Sequence, residues 1–139
     1  MGRKAFIATK VDTGAAQERS ARILAALEAA GFSVFLPKKR PGATAIEILE
    51  SNEREVDAAD VVVCVFDGAG AGVGMELGRA DALKKDIVGF RTEESVADEY
   101  LGKMLEGFWQ RLPDDRKAQD LSRLEQLLAG LEAKETALA

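Results

Sequence analysis

The feature that most constrains this chain is a run of six apolar residues, VVVCVF at positions 61–66, which breaks directly into DGAGAGVG at 67–74. A strand with one wet face alternates apolar and polar residues. A strand that is apolar at every position is covered on both faces, as in the middle of a parallel sheet. Parallel neighbours need long crossover connections, normally helices. The rest of the chain keeps that rhythm. Strands are expected at residues 4–9 (KAFIAT), 32–36 (FSVFL), 60–66 and 87–90. Residues 15–30 place Ile23, Leu24 and Leu27 among charges, the pattern of an amphipathic helix, with Gly31 behind them as a stop signal. Thr44 with Glu47 three residues on forms a capping-box pattern. The helix it opens carries Ile46, Leu49 and Val56 on one face, with Asn52 on the same side. Further helices are expected at 74–85 and 95–112, the latter weakened by Gly102 and Gly107. Residues 38–42 read as a loop whose basic cluster, Lys38-Lys39-Arg40, is solvated.

This alternation predicts an α/β fold: a flavodoxin-like or Rossmann-like three-layer sandwich with a four- to five-stranded parallel sheet. The 139 residues suit one compact domain, and 47% hydrophobic content is enough for a core. Residues 1–112 form the α/β domain. Residues 113–139 form a last helix opened by Pro113, with Leu121, Leu124, Leu128 and Leu131 spaced 3, 4 and 3. That stripe packs on the domain or at a subunit interface.

Composition removes several chemistries. There is no histidine, so neither a Ser-His-Asp triad nor an imidazole-built zinc site is available. The single cysteine, Cys64, allows no disulfide within the chain and no CxxC site, and it reads as core packing inside a valine strand. Acid–base work falls to carboxylates, Lys, Tyr or Cys. No metal site and no cofactor are expected. The net charge of −5 argues against a nucleic-acid surface. No apolar run approaches the roughly 20 residues of a membrane span. The start lacks the apolar block of a secretory leader, and position 6 is Phe, which does not suit myristoylation. A soluble, cytoplasmic protein is expected, with no membrane partner.

In such sheets ligands bind beyond the carboxyl ends of the strands, near the point where strand order reverses. The loops after the first and third strands are therefore the candidates. The loop at 67–74 is not a dinucleotide fingerprint, because the GxGxxG spacing is not met, and no Gly-Lys-Ser/Thr follows to make a phosphate-binding Walker loop. Its small residues still let a ligand approach the backbone, and helix N–H groups can face it. Glu76 falls in the first turn of the helix expected at 74–85. An acid there offsets the helix dipole. It also stands at the binding edge of the sheet.

The segment ADVVVCVFDGAGAGVGMELGRADALKKDIVGF resembles the nucleoside 2-deoxyribosyltransferase family. The resemblance spans most of residues 4–110 and centres on a Gly-x-Glu-x-Gly-x-Ala core, here Gly74-Met75-Glu76-Leu77-Gly78-Arg79-Ala80. The opening FIATK partly echoes the family's first strand and turn. The resemblance implies that Glu76 is a nucleophile. Its carboxylate traps the sugar of a 2′-deoxynucleoside as a glycosyl ester, and another base or water then attacks. Gly78 and Ala80 are expected to let the helix lie close on the sheet.

Eight residues before Asp60 the family carries Asp or Asn at a position that helps bind sugar or base, which is Asn52 here. Gly70, Gly72, Gly74 and Met75 complete the implied substrate cradle, with Lys10 as a charge for a phosphate and Asp67 as a side chain for the 5′-hydroxyl. Departures from the pattern are specific. Six residues before the nucleophile, transferases often carry Asp and the nucleotide hydrolase branch carries Ser; Gly70 stands there. The family site is completed by a neighbouring subunit, often through Asn, but Gly102-Lys103-Met104 supplies none. The aromatic residue near the first strand corresponds to Phe6, without a hydroxyl, leaving Tyr100 and Trp109 as polar-tipped rings.

Three functions follow as expectations. The first is cleavage of a 2′-deoxynucleoside with transfer to a free base or to water. The second is a deoxynucleoside 5′-monophosphate N-glycosidase. The third is a nucleotide-binding or assembly module without turnover. A homodimer or higher homo-oligomer is expected in each case.

Overall fold

A computed structural model describes residues 2–10, 15–92 and 99–138. Five strands form one sheet: β1 (Arg3–Ala8), β2 (Phe32–Phe35), β3 (Val61–Val65), β4 (Asp86–Phe90) and β5 (Lys117–Ala118). All neighbours run parallel, in the order β2-β1-β3-β4-β5. The helices are α1 (Ala15–Ala29), α2 (Ala45–Ala58), α3 (Ala71–Ala82), α4 (Glu99–Arg111) and α5 (Leu121–Leu138). This is the three-layer α/β sandwich anticipated above.

The handedness of crossovers distributes the helices. The chain steps from β1 outward to β2, then returns past β1 to β3, β4 and β5. Right-handed connections therefore put α1 on one face and α2, α3 and α4 on the other. One helix cannot cover a five-stranded sheet, and α5 fills the vacancy. Leu124, Leu127, Leu128 and Leu131 of α5 are buried with Ile23 and Leu27 of α1 over Val61, Val63 and Val65. Val62 and Cys64 point the other way, into a cluster with Phe6, Val56, Val73, Leu77 and Trp109. Every side chain of β3 is buried for that reason. Each fully buried valine or leucine contributes about 1.5–3 kcal/mol.

Differences from the sequence reading have local causes. Pro113 does not open a helix directly. A 3-10 turn at Asp114–Arg116 and the two-residue strand β5 come first, and β5 pairs Lys117 with Gly89 and Ala118 with Phe90. Two residues are too few to show a period. Gly89 is required by close approach: a Cβ there would lie 2.7 Å from Leu112 Cδ1 and 3.1 Å from the rings of Phe66 and Trp109. The start of the helix expected at 95–112 lies outside the described residues, and α4 begins at Glu99.

The capping box on α2 is formed. Thr44 Oγ1 accepts from Glu47 N at 3.1 Å, and Glu47 Oε1 accepts from Thr44 N at 2.9 Å. The apolar face read on α2 is not core throughout: Val56 is buried, whereas Ile46 and Leu49 are 67% and 44% exposed. Among the described residues no helix is long and apolar enough to cross a membrane.

Candidate active site

The loop after β3 is shorter than its glycines suggest. Strand β3 ends at Val65, and in the turn at Asp67-Gly68 the glycine takes a φ of +67°, in the left-handed region that favours glycine. Helix α3 then begins at Ala71, three residues earlier than expected, with Gly70 as N-cap and no side-chain cap. Gly72 and Gly74 weaken a helix by propensity. Val73, Leu77 and Ala80 override that by burying one face against the sheet. Glu76 consequently stands in the second turn, not the first. The helix dipole acts mainly within the first turn, so it does not account for an acid at this place.

Glu76 faces α2 across a cleft of about 590 Å³. Residues one helical turn apart build both walls. Ile48, Asn52 and Val56 with Leu49 and Glu53 come from α2; Gly72 and Glu76 with Met75 and Arg79 come from α3. Asn52 Nδ2 donates to Glu76 Oε2 at 3.2 Å. The other oxygen, Oε1, has no hydrogen-bond partner among the described residues. Burial pushes the Glu76 carboxyl up to about 7, against the opposing pull of the Asn52 hydrogen bond. Beneath it the thiol of Cys64 is fully buried. Burial first, and the nearby Glu76 charge second, push its pKa up, so this sulfur stays neutral and unreactive.

The two walls are braced at one end. Arg79 Nε and Nη2 donate to the two carboxylate oxygens of Asp57 at 2.6 and 2.8 Å, and Nη1 donates to Glu53 at 3.1 Å. Lys85 Nζ donates to the Asp57 carbonyl at 2.7 Å. The fork holds α2 and α3 in fixed register beside the carboxyl group. Arg79 and the wall residues Ile48 and Glu53 were not singled out in the sequence. The signal was present in the i, i+4 spacing of 48/52/56 and 49/53, which pairs with 72/76 and 75/79 once α3 is started at Ala71.

Of the expected site residues, Asn52, Gly72, Met75 and Glu76 are brought together in this cleft. Among the described residues, apart from the adjoining backbone, nothing lies within 4 Å of where a Cβ would stand on Gly70 or Gly72, so the space in front of them is open. Gly74 donates its N–H to the Gly70 carbonyl at 3.2 Å inside the helix, and that N–H is not offered to a ligand. Asp67 accepts from the backbone N–H of Thr92 at 3.0 and 3.1 Å, accepts from the Thr92 hydroxyl, and lies 3.7 Å from Arg19 Nη1. It is thereby tied to the strand edge. Lys10 lies beside Gly68 and lines a different pocket.

Phe6 is fully buried and stacks on Phe35 at 5.6 Å, and Trp109 packs edge-on to Phe66 at 5.3 Å. Both rings are core. The side chain of Tyr100 lies outside the described residues. Ala80 packs as expected, but Gly78 is exposed with nothing near its Cβ position. Among the described residues no group of three or more His, Cys, Asp or Glu is placed to hold a metal.

An open parallel sheet in this order, with one carboxyl group held in a cleft at its flank, belongs to the α/β proteins that take small ligands near the strand-order switch. The family model for nucleoside 2-deoxyribosyltransferases matches residues 6–128, and the chain belongs to that family of glycosyl-transferring enzymes. Solved structures agree in fold. A conserved protein from Enterococcus faecalis V583 is 19% identical, with a TM-score of 0.59, over 94% of this chain and 88% of that one. A 2-desoxiribosyltransferase from Leishmania mexicana is 21% identical, with a TM-score of 0.54, over 81% and 75%. A 2-deoxyribosyltransferase from the psychrotolerant bacterium Bacillus psychrosaccharolyticus is 15% identical, with a TM-score of 0.63, over 88% and 90%. No curated protein matches the chain.

Proposed function

We propose that this protein cleaves the N-glycosidic bond of a 2′-deoxynucleoside, with Glu76 as the nucleophile, and passes the sugar to another base or to water. The observation that carries the reading is the Glu76 carboxyl group itself. It lines a ligand-sized cleft, one oxygen is held by Asn52 at 3.2 Å, and the other has no hydrogen-bond partner among the described residues.

The chemistry follows from that geometry. As the bond from C1′ to the base nitrogen lengthens, the sugar takes on oxocarbenium character and the base departs with the bonding pair. The ionised Glu76 attacks C1′ and forms an ester. The acceptor then attacks C1′ from the opposite side, releasing the carboxylate, and two inversions leave the configuration retained. Asn52 orients the carboxyl group. Gly70 and Gly72 leave room for the sugar against the start of α3, and Met75 offers an apolar surface to the base. With its carboxyl group poised near 7, about half of Glu76 is ionised at neutral pH. The reaction calls on no histidine and no metal.

Ile48, Leu49 and Met75 are 39%, 44% and 61% exposed around the cleft. This apolar rim fits the homo-oligomer that the family resemblance implies, with a second copy closing the site. Where the cleft stays open, water is the acceptor and the enzyme is a hydrolase. Incubating the protein with 2′-deoxyadenosine and free hypoxanthine distinguishes the outcomes. Appearance of 2′-deoxyinosine marks transfer, whereas adenine and free deoxyribose alone mark hydrolysis. The same assay with 2′-deoxyadenosine 5′-monophosphate tests the nucleotide-specific reading. Intact nucleoside and nucleotide after prolonged incubation contradict the proposal.

A further inference from the structure

Arg79 stands one turn beyond Glu76 on α3 and lines the same cleft. Its guanidinium commits all three nitrogens to α2. Nε and Nη2 clasp the two carboxylate oxygens of Asp57 at 2.6 and 2.8 Å, and Nη1 donates to Glu53 at 3.1 Å. Lys85, just past the end of α3, adds a bond from Nζ to the Asp57 carbonyl at 2.7 Å. Asn52, Glu53 and Asp57 all belong to the second half of α2. That helix has little else to fix it. Val56 is its buried residue, whereas Ile46, Ile48 and Leu49 are exposed. One buried valine sets neither the rotation of a helix nor its height along a neighbour.

Bond lengths show which contact sets the register of the two walls. N–H···O bonds run from about 2.7 to 3.2 Å. The Asp57 bonds are short and charge-assisted. The bond from Asn52 to Glu76, at 3.2 Å, stands at the long end and has no slack. A slide of α2 by on the order of half an ångström breaks it. Exposure supplies a second, independent point. The side chains of Arg79, Asp57 and Glu53 are 39%, 43% and 38% exposed, and ion pairs this wet add little to stability. A planar guanidinium nevertheless fixes direction as well as distance. The geometric effect of this fork therefore outweighs its energetic one.

We propose that Arg79 is a positioning residue for Glu76: it clamps α2 through Asp57 and Glu53, and so keeps Asn52 on the carboxyl group and water away from it. The kinetic part of this inference rests on the reading of Glu76 as the nucleophile. Among the described residues, the charged and titratable groups that share the cleft with Glu76 or lie against it are Glu53 on α2, Arg79 on α3 and Cys64 on β3. Burial is the larger influence on the carboxyl group and the Asn52 bond the smaller. When the clamp opens both are lost, and the net movement of the carboxyl group is downward, toward its ordinary value of 4.5.

The test follows the Glu76 titration by NMR in the full chain carrying carbon-13 at its glutamate carboxyl carbons. The Glu76 resonance is the one missing from Glu76→Gln. Three variants are compared with the parent: Arg79→Gln, Asp57→Ala and Arg79→Lys, which keeps the charge and loses the fork. A direct effect of charge moves the midpoint up in Arg79→Gln, down in Asp57→Ala and not at all in Arg79→Lys. Loss of the clamp moves it down in all three, by about 0.5 or more. With 2′-deoxyadenosine, kcat falls about tenfold or more in each, KM stays within about threefold, and Tm stays within about 5 °C of the parent. The rising limb of the pH–rate profile moves to lower pH with the midpoint. A midpoint in Arg79→Lys equal to the parent's overturns the proposal, as do midpoints that move in opposite directions in Arg79→Gln and Asp57→Ala. Unchanged kcat in all three variants of an active parent overturns the positioning role alone. A parent without turnover overturns the reading of Glu76 as nucleophile, and the midpoints still decide whether Arg79 clamps the wall.

Discussion

The two faces of the sheet are built to different ends. On the α1/α5 face, leucines from α5 join Ile23 and Leu27 of α1 in closing over Val61, Val63 and Val65. On the α2/α3 face the helices stand apart around a cleft, apolar side chains remain in water, and a carboxyl group is half-buried beside a buried thiol. The first arrangement maximises burial. The second gives some of it up and desolvates a charge, a local departure from good packing that is expected where a protein does chemistry. The same strand, β3, serves both through alternate residues.

That contrast makes separable predictions. The largest effect is on turnover. Glu76→Ala is expected to lower glycosidic cleavage by about a thousandfold or more, roughly 4 kcal/mol of barrier, with the circular dichroism spectrum unchanged. Retained turnover would mean the α2/α3 face is not the reactive one. Leu128→Ala on the α1/α5 face reverses the pattern. It costs about 2–5 kcal/mol of stability in urea unfolding and leaves the kcat of the folded fraction within about twofold, because distant sites act independently. Loss of kcat without loss of stability would erase the division between the faces.

A third prediction concerns pH. The Glu76 carboxyl group is raised from 4.5 to about 7 in the folded chain. Between those values the folded state holds more proton than the unfolded state, so stability falls as pH rises through this window. Glu76→Gln keeps an acceptor for Asn52 and carries no charge. It is expected to remove that fall and to exceed the parent's stability at pH 8 by up to about 3 kcal/mol. Parallel stability curves for the two proteins from pH 4 to 8 would count against a desolvated carboxyl group.

The smallest effect is on the pH–rate profile. Turnover of the parent rises with pH through about 7 as Glu76 ionises. Asn52→Ala removes a hydrogen bond that favours the ionised form, so the rising limb moves to higher pH. An unmoved limb would show that Asn52 does not act through the carboxyl group.

Much of this division was legible in the sequence. The unbroken VVVCVF run announced a strand covered twice, and the capping box at Thr44 and Glu47 located the start of α2. Glu76 and Asn52 were both singled out by the family resemblance, as nucleophile and as a contact to sugar or base; the hydrogen bond between them was not read from the sequence. The start of α3 was not legible, because glycine propensity argued for a loop while the burial of Val73, Leu77 and Ala80 decided for a helix. Strand β5 was too short to carry a pattern. The reading of Lys38, Lys39 and Arg40 as a solvated loop holds, all three being exposed outside any helix or strand. Gly78 and Phe6 were assigned from the motif, whereas the sheet's alternation and the helix period placed them elsewhere.

The central claim is that one carboxyl group, Glu76, makes and breaks a bond to an anomeric carbon. Incubation with a 2′-deoxy-2′-fluoroarabino nucleoside, followed by proteolysis and mass spectrometry, tests it directly, because fluorine slows the release of the ester. The account predicts a fluorosugar adduct on the peptide carrying Glu76, localised to that residue and absent from Glu76→Ala. An adduct on another residue, or nucleoside turnover with no adduct and no loss in Glu76→Ala, would contradict it.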